Sequence, residues 1–437
     1  MSVPALVDRL FRQQAGQLVS TLTRIFGAAH LELAEDVVQE AMLRALRRWP
    51  FEGIPERPAA WLHAVAHNAA LDRLRRDARL RELAPHAMAA LHELVDRAAS
   101  FDPGVGTPSE PMPDETPFAL DDQLQMMFMC AHPVLPAEAR ITLMLRTVGG
   151  LGVEEIARAF LADPSAVAQR LVRAKRRLRE SGVRLGMPDE AELQHRLQAV
   201  LEVLSLIFNE GHLAHAGESL LREALCADAL RLALMLTRHP ATARPEVHAL
   251  CATFCFAAAR LDARVDASGE LVTLEEQDRS RWNAQLIAGG FRHLERAAEG
   301  DRLTRFHLQA EIESCHAAAA RFDLTDWAHI GRAYDALARI APSPVVAVNG
   351  AVATCMLDGP AAGIRALDAI SMERSLSGYY PYHAARADVL ARLGRDAESA
   401  AALRTALSLN PVEPVRRLLT RRLSRLQALA AAERIRG

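Results

Sequence analysis

Between Gly150 and Glu180 the chain reads GLGVEEIARAFLADPSAVAQRLVRAKRRLRE, and no other stretch narrows the available folds so far. A first short helix from about Val153 to Phe160 carries Ile156, Ala157 and Phe160 on one face. Leu161 and Ala162 supply a turn. Asp163 is a good N-cap, and Pro164 suits the first helical position, where a missing N–H costs nothing. A second helix then places Val167, Leu171, Ala174 and Leu178 at helical spacing. Its other faces carry Gln169, Arg170, Arg173, Lys175, Arg176, Arg177 and Arg179. Two short helices with a tight connection, the second one basic, have the geometry that enters a DNA major groove. A plain helical hairpin with a solvated basic face has the same pattern, so the rest of the chain must decide.

Composition bounds the answer. The 437 residues allow two to four domains. Half are hydrophobic, aromatics make up 5%, and β-branched runs are short, which predicts an all-α fold. The formal net charge of −2 gives no global attraction to a polyanion, so any nucleic-acid surface must be local. Lys175 is the only lysine, so richness in arginine is partly a habit of the whole chain. The start, MSVPALVDRLFRQQ, becomes charged at Asp8 and Arg9 and does not read as a secretory signal. The most apolar run, near Leu250 to Ala259, is too short to cross a bilayer. Both readings predict a cytoplasmic protein with no membrane partner. Cys130, Cys226, Cys251, Cys255, Cys315 and Cys355 are scattered; Cys251 and Cys255, one turn apart in an apolar stretch, read as buried thiols. No nucleophile elbow, P-loop, paired carboxylates or Cys/His ligand set stands out, so no catalytic residue, metal or cofactor is expected. His212 and His215 flank a loop and read as surface residues.

The front of the chain decides between the two readings of the hairpin. LELAEDVVQEAMLRALRRW, Leu33 to Trp49 with its preceding residues, is a long helix with Val38, Met42, Ala45 and Trp49 inward. Glu35, Asp36, Gln39 and Glu40 give it an acidic, exposed patch. Trp49 to Pro55 reads as a rigid loop. A further helix follows Pro58, with Trp61, Leu62, Val65 and Ala69 toward the core and His63, His67, Asn68, Arg73, Arg75 and Arg76 exposed. AEDVVQEAMLRA, Ala34 to Ala45, resembles the region 2.2 helix of the sigma-70 family. WLHAVAHNAALDRLRR, Trp61 to Arg76, resembles the W-L-x-x-I-A-x-N-x-x-x-D-x-x-R pattern of the family's extracytoplasmic-function (ECF) branch. The Gly150 to Glu180 hairpin resembles that branch's region 4.2. Three motifs in the right order and separation identify the chain as similar to ECF RNA polymerase sigma factors.

The resemblance implies partners and roles. Core RNA polymerase is the expected partner, through its β′ clamp helices and β flap, together with promoter DNA. The docking face of region 2.2 maps onto Asp36, Gln39, Glu40 and Arg44. The minus-ten element falls to Asn68, whose amide suits a base edge, and to Phe51 in the loop as a stacking surface. Arg73, Arg75 and Arg76 would hold phosphates. The minus-thirty-five element falls to Ser165, Ala168, Gln169, Arg170 and Arg173. Ala166 and Ala168 depart from the Thr and the Arg or Lys that many relatives carry there, which puts the base preference, not the docking, in doubt.

The implied organisation is a first sigma domain over 1–83, a flexible linker over 84–121, a second sigma domain over 122–186 and a helical domain over 187–437. The linker holds several Pro and Gly and turns acidic from Asp102. Its roughly 35 residues reach about 110 Å at about 3.3 Å each, more than the 50–60 Å between two promoter elements. It reads either as a plain tether or as an acidic segment that imitates nucleic acid inside the polymerase. In the last domain, YYPYHAARADVLARLGRDAESAAALRTALSLNP resembles a tetratricopeptide repeat, with Ala387, Leu390, Gly394, Leu403, Ala406 and Pro411 at its small, large, turn and stop positions. Weaker copies start near Trp327 and Val345. Such arrays take a protein or peptide ligand in a groove. A subgroup of ECF sigma factors with a fused tetratricopeptide-like tail shares this arrangement, together with LIFNEG at Leu206 to Gly211 and the Asp358-Gly359-Pro360 turn. Two alternatives from other classes are a dimeric helix-turn-helix regulator with a ligand-sensing tail and a tetratricopeptide-type scaffold protein.

Overall fold

A computed structural model describes residues 3–76, 117–160, 162–213, 219–266, 270–371 and 374–436. Among them the fold is all-α, the one extended feature being an isolated bridge between Val265 and Leu271. The chain divides into two compact units, Met1–Leu206 and Ile207–Gly437.

The first unit opens with α1 (Val3–Phe26), α2 (Leu31–Glu52) and α3 (Pro58–Arg76). Leu18, Leu22 and Phe26 of α1, Ala34, Val38, Ala41 and Ala45 of α2, and Leu62, Ala66 and Ala69 of α3 are all buried, each set at helical spacing. Trp49 meets Trp61 edge-on at 5.5 Å and ties the end of α2 to the start of α3. The segment expected to be a loop from Trp49 begins as helix: α2 runs on through Pro50 to Glu52. Pro50 forfeits one helical hydrogen bond, and the last turn survives because Gly53, at φ 85°, turns back and donates its N–H to Trp49 O at 3.0 Å.

Residues 77–116, which include most of the expected linker, lie outside the described residues. Helix α4 (Pro117–Cys130) begins within the span read as linker. It is followed by α5 (Ala137–Thr147), α6 (Val153–Ala159) and α7 (Pro164–Glu180). Met127 and Phe128 of α4, Leu143 and Leu145 of α5 and Ile156 of α6 are fully buried. Ser165 N donates to Asp163 Oδ1 at 2.7 Å, and Pro164 takes the first position of α7, as the sequence implies. Val167, Leu171, Ala174 and Leu178 are the buried residues of α7. Helix α8 (Glu190–Leu213) contributes Leu193, Leu197, Val200 and Leu204, all buried, and its Arg196 donates Nη2 to Phe128 O at 2.9 Å.

The second unit centres on α10 (Pro245–Ala259), which follows α9 (Ser219–Leu236). Val247, Leu250, Cys251, Phe254, Cys255 and Phe256 are buried almost all round its axis. Burial raises both thiols, Cys255 to about 11, so neither is a ready nucleophile or metal ligand at neutral pH. Phe254 stacks on Phe208 at 4.1 Å. His212 is not a free surface residue: it stacks on Phe208 and is bonded to Arg264. His215 lies outside the described residues. Helices α11 (Ala284–Ala297) and α12 (Arg305–Ala318) pack on α10. Then come α13 (Trp327–Ile340), α14 (Pro344–Asp358), α15 (Pro360–Ala369), α16 (Arg374–Ser377), α17 (Tyr380–Arg392), α18 (Asp396–Ser408) and α19 (Glu413–Arg436). Each of α13, α14, α17 and α18 packs against its successor or the next long helix. Ser399 Oγ donates to Ala387 O at 2.8 Å, and Ala387, Leu390, Leu403 and Ala406 share one core.

Histidines in this unit make its stability depend on pH. His248 and His293 bond through their Nδ1 atoms at 2.9 Å, which requires one N–H and one lone pair and so at least one neutral ring. Burial, with His248 and Arg292 beside it, pushes His293 down to about 4; burial pushes His316 down to about 4. The unfolded chain binds these protons near the ordinary value of 6.5, so stability is full above it and is lost as pH falls toward 4. Urea unfolding should show the unit weaker at pH 5 than at pH 7.5, by about 2 kcal/mol from these half-buried rings. That slope should shrink in His316→Asn; an unchanged slope would contradict the assignment.

Candidate nucleic-acid and polymerase interface

One face of α2 carries the residues read from the sequence as a docking surface. Asp36, Gln39 and Arg44 are exposed and Glu40 is half-exposed. Their i, i+3 and i+4 spacing puts them along one side of the helix, opposite Val38, Ala41 and Ala45. Arg44 pairs with Glu40 at 2.5 Å, and Asp36 lies 3.9 Å from Arg73 of α3. Two leucines that the sequence reading passed over belong here: Leu43 and Leu46 are 52% and 51% exposed. Leu43 falls between the phases of Asp36 and Gln39, so this face mixes carboxylates with an apolar knob. The available signal was phase: both leucines miss the Val38, Ala41, Ala45 stripe. Glu35, read as part of the exposed acidic patch, is instead buried, and its Oε2 accepts from Lys175 Nζ at 2.5 Å. It sits about 100° around the helix from Asp36 and faces inward.

Helix α3 presents a second surface. Asn68 is exposed, with its Oδ1 3.2 Å from His67 Nδ1. His67, expected at the surface, is buried, because it lies one residue off the exposed line and beside the buried Ala66. Arg73 is exposed. Arg75 and Arg76 are in the last turn of α3, but their side chains lie outside the described residues. Phe51 is 89% exposed and projects from the last turn of α2, where the sequence reading had placed it in a loop. Asn68 stands two turns along the same line of α3 as Trp61, and Trp61 packs on Trp49, two residues before Phe51. The tryptophan pair therefore holds the two helices that carry the ring and the amide.

On α7, Ser165, Gln169 and Arg173 are exposed and Ala168 is half-exposed. Val172, 59% exposed, lies at the centre of this line and was not foreseen. An apolar side chain among polar ones suits a base methyl. Arg170 is turned away: it is half-exposed and pairs with Glu138 of α5 at 2.8 Å. Lys175, grouped with the basic faces in the sequence, is the one removed to the buried pair with Glu35. Arg173→Ala should weaken promoter binding more than Arg170→Ala does. A base-edge contact would cost about 1–3 kcal/mol and relax one position of the element. A phosphate contact would lower binding on all sequences and reduce the salt slope by about one. Equal, unchanged affinity and salt dependence in both variants would move the groove-facing surface elsewhere.

Comparison with known proteins bears on both surfaces. Residues 10–80 match a family described as Sigma-70 region 2, and residues 125–178 match Sigma-70, region 4. Residues 196–298 match a family of unknown function, DUF6596. An uncharacterized protein of Rhizobium meliloti is 39% identical over 394 residues, covering 90% of this chain and 89% of that protein. The ECF RNA polymerase sigma factor SigL of Mycobacterium tuberculosis is 34% identical over 184 residues, 42% of this chain and 92% of that protein. The ECF RNA polymerase sigma factor SigM of the same species is 30% identical over 171 residues, 39% of this chain and 74% of that protein. No solved structure matches.

Proposed function

Since the chain belongs to the ECF RNA polymerase sigma factors of the sigma-70 family, acting in transcription initiation with core RNA polymerase and promoter DNA, we propose residue roles for its two front modules and a regulatory role for its tail. The face of Asp36, Gln39, Glu40 and Arg44, with Leu43 added, docks on the β′ clamp helices. Asn68 and Phe51 take bases of the minus-ten element, and Arg73, Arg75 and Arg76 hold its phosphates. Ser165, Ala168, Gln169 and Arg173, with Val172 among them, face the minus-thirty-five element, and the surrounding module sits on the β flap; Arg170, read from the sequence as part of this set, is held to one side by Glu138. The observation that carries this reading is the division of α7: four buried apolar residues on one side and, on the other, an exposed line of Ser165, Gln169 and Arg173 around Val172.

The domain limits we propose are those read from the sequence, 1–83, 84–121, 122–186 and 187–437, except that the linker ends where α4 begins at Pro117. The last is a tetratricopeptide-like regulatory domain with a protein or peptide ligand. Support comes from helix pairs that begin at Trp327 and Pro344, close to where weak repeat copies were read, each packed on the next. No described helix is long and apolar enough to cross a membrane.

Selection of DNA fragments from a random pool separates this reading from a helix-turn-helix repressor. With core polymerase present, the recovered fragments should share two spaced elements. The chain alone should recover none. Selection of a palindromic site by the chain without polymerase would overturn the proposal.

A further inference from the structure

The turn that joins α10 to α11 crosses the second unit and meets its last helices. Glu275 pairs with Arg392 at the end of α17. Glu270 lies 3.1 Å from Arg417 and 3.5 Å from Arg421 of α19. Residues 413, 417 and 421 follow one another at i, i+4 and i+8, so the two arginines share one line of α19. Helices α17 and α19 are alternate members of the array, and Leu390, Leu403 and Leu419 tie them with α18 into one core. Alternate helices of a helical-repeat array line the same face, so the two carboxylates of the turn lie on one face of the tail.

The shape of the turn is set by its own bonds. Val272 N donates to Arg264 O at 2.8 Å, and Glu276 N donates to Thr273 O at 2.9 Å. Thr273 Oγ1 donates to Glu276 Oε2 at 2.7 Å, and Gln277 Nε2 donates to Val272 O at 3.3 Å. These bonds involve neither α17 nor α19; Glu270 and Glu275 are what reach those helices. The pairs they make are open to solvent, with Arg392, Arg417 and Arg421 exposed by 32%, 45% and 51%. Such pairs are worth about 0–1 kcal/mol each, weak enough to be exchanged for others. The receiving face carries more positive charge than its own helices balance. Arg392, Arg416, Arg417, Arg421 and Arg422 share two carboxylates of α17 and α19, Asp388 and Glu413, and the turn brings the others. An open cleft of about 430 Å³ lies beside these pairs, bordered by Glu270 and by Arg416, Thr420 and Ser424 of α19.

We propose that the arginine face of α17 and α19 is the tail's ligand site, that its ligand is an acidic peptide segment carrying side-chain carboxylates spaced like Glu270 and Glu275, and that the turn is an internal occupant which this ligand displaces. The proposal rests on the reading of the tail as a domain with a protein or peptide ligand. Charge complementarity sets the class of partner: a guanidinium fork takes a carboxylate by two parallel bonds, and a basic segment would meet repulsion. The turn sets the threshold. A group tethered in the same chain competes at an effective concentration of about mM, so a stray carboxylate does not open the site. A ligand that also fills the cleft beside Arg416 and Thr420 makes contacts the turn does not, and so can replace it.

Fluorescence anisotropy on the full chain tests this, with a labelled peptide of the turn's own sequence, Glu270 to Asp278, both ends blocked. Glu270→Gln with Glu275→Gln vacates the face, and that variant should bind the peptide about tenfold tighter than the wild-type chain at low salt. Adding Arg417→Gln and Arg421→Gln should abolish the gain, as should glutamine at both glutamate positions of the peptide that match 270 and 275. On the wild-type chain, where no substitution can harm the fold, excess peptide should speed amide exchange in 270–278 and leave α10 unchanged. Equal affinity for the vacated and wild-type chains would overturn the proposal. So would binding that survives loss of both arginines, or exchange of the turn that the peptide leaves unaltered. Selection from a random peptide pool separates this failure from that of the underlying reading. Peptides that bind the vacated chain equally well after Arg417→Gln with Arg421→Gln would overturn this site while the tail remains a peptide-binding domain. Recovery of no peptide at all would strike the peptide-binding reading as well.

Discussion

Core RNA polymerase should no longer retain the chain when Asp36→Arg and Glu40→Arg are combined. Both carboxylates stand on the outer face of α2, one turn apart, and neither supports the core beneath. Their present partners, Arg73 at 3.9 Å and Arg44 at 2.5 Å, make surface pairs worth about 0–1 kcal/mol each, so the fold should survive their loss. Docking should not. Each reversal sets a cation where a complementary surface expects an anion, and like charges at an interface cost several kcal/mol. Two reversals should lower affinity by about a hundredfold or more. Co-purification with core enzyme, checked against circular dichroism of the free variant, reads the result. Wild-type yield in the complex would remove α2 from the docking surface.

Leu171→Ala should disable the second module while sparing the first. Leu171 is buried in the middle of the α7 stripe, between Val167 and Ala174. Deleting a buried leucine side chain costs about 2–5 kcal/mol, a large share of the stability of a small domain. Exchange protection across 164–180 should collapse, and transcripts that depend on the minus-thirty-five element should fall with it. The α2 face is untouched, so polymerase should still be retained. A variant with the wild-type unfolding midpoint and wild-type transcription would mean that α7 does not depend on this stripe.

Local chemistry was legible wherever a few neighbouring residues determine the outcome. The Asp163 cap with Pro164 and the four buried positions of α7 follow from side-chain type and helical spacing alone. What could not be read depends on partners far along the chain. Glu35 looks like its exposed neighbours until Lys175 arrives from 140 residues away. Arg170 and Arg173 look equivalent until Glu138 of α5 holds one of them. Phe51 was misplaced for a different reason. Pro50 signals a break, yet in the last turn of a helix one missing N–H is tolerable when a glycine follows to close the turn. Leu43 and Leu46 lie outside the inward phase of α2, so burial of the Val38, Ala41, Ala45 stripe leaves them exposed.

Run-off transcription with purified core polymerase tests the central claim most directly. Genomic DNA from the source organism serves as template, and RNA 5′ ends are mapped with core enzyme alone and with core enzyme plus the full chain. The account predicts a new set of discrete start sites that share two upstream elements, present only when the chain is added and lost with the Asp36→Arg, Glu40→Arg variant. The same start sites with and without the chain, or suppression of those made by the core enzyme with none gained, would contradict it.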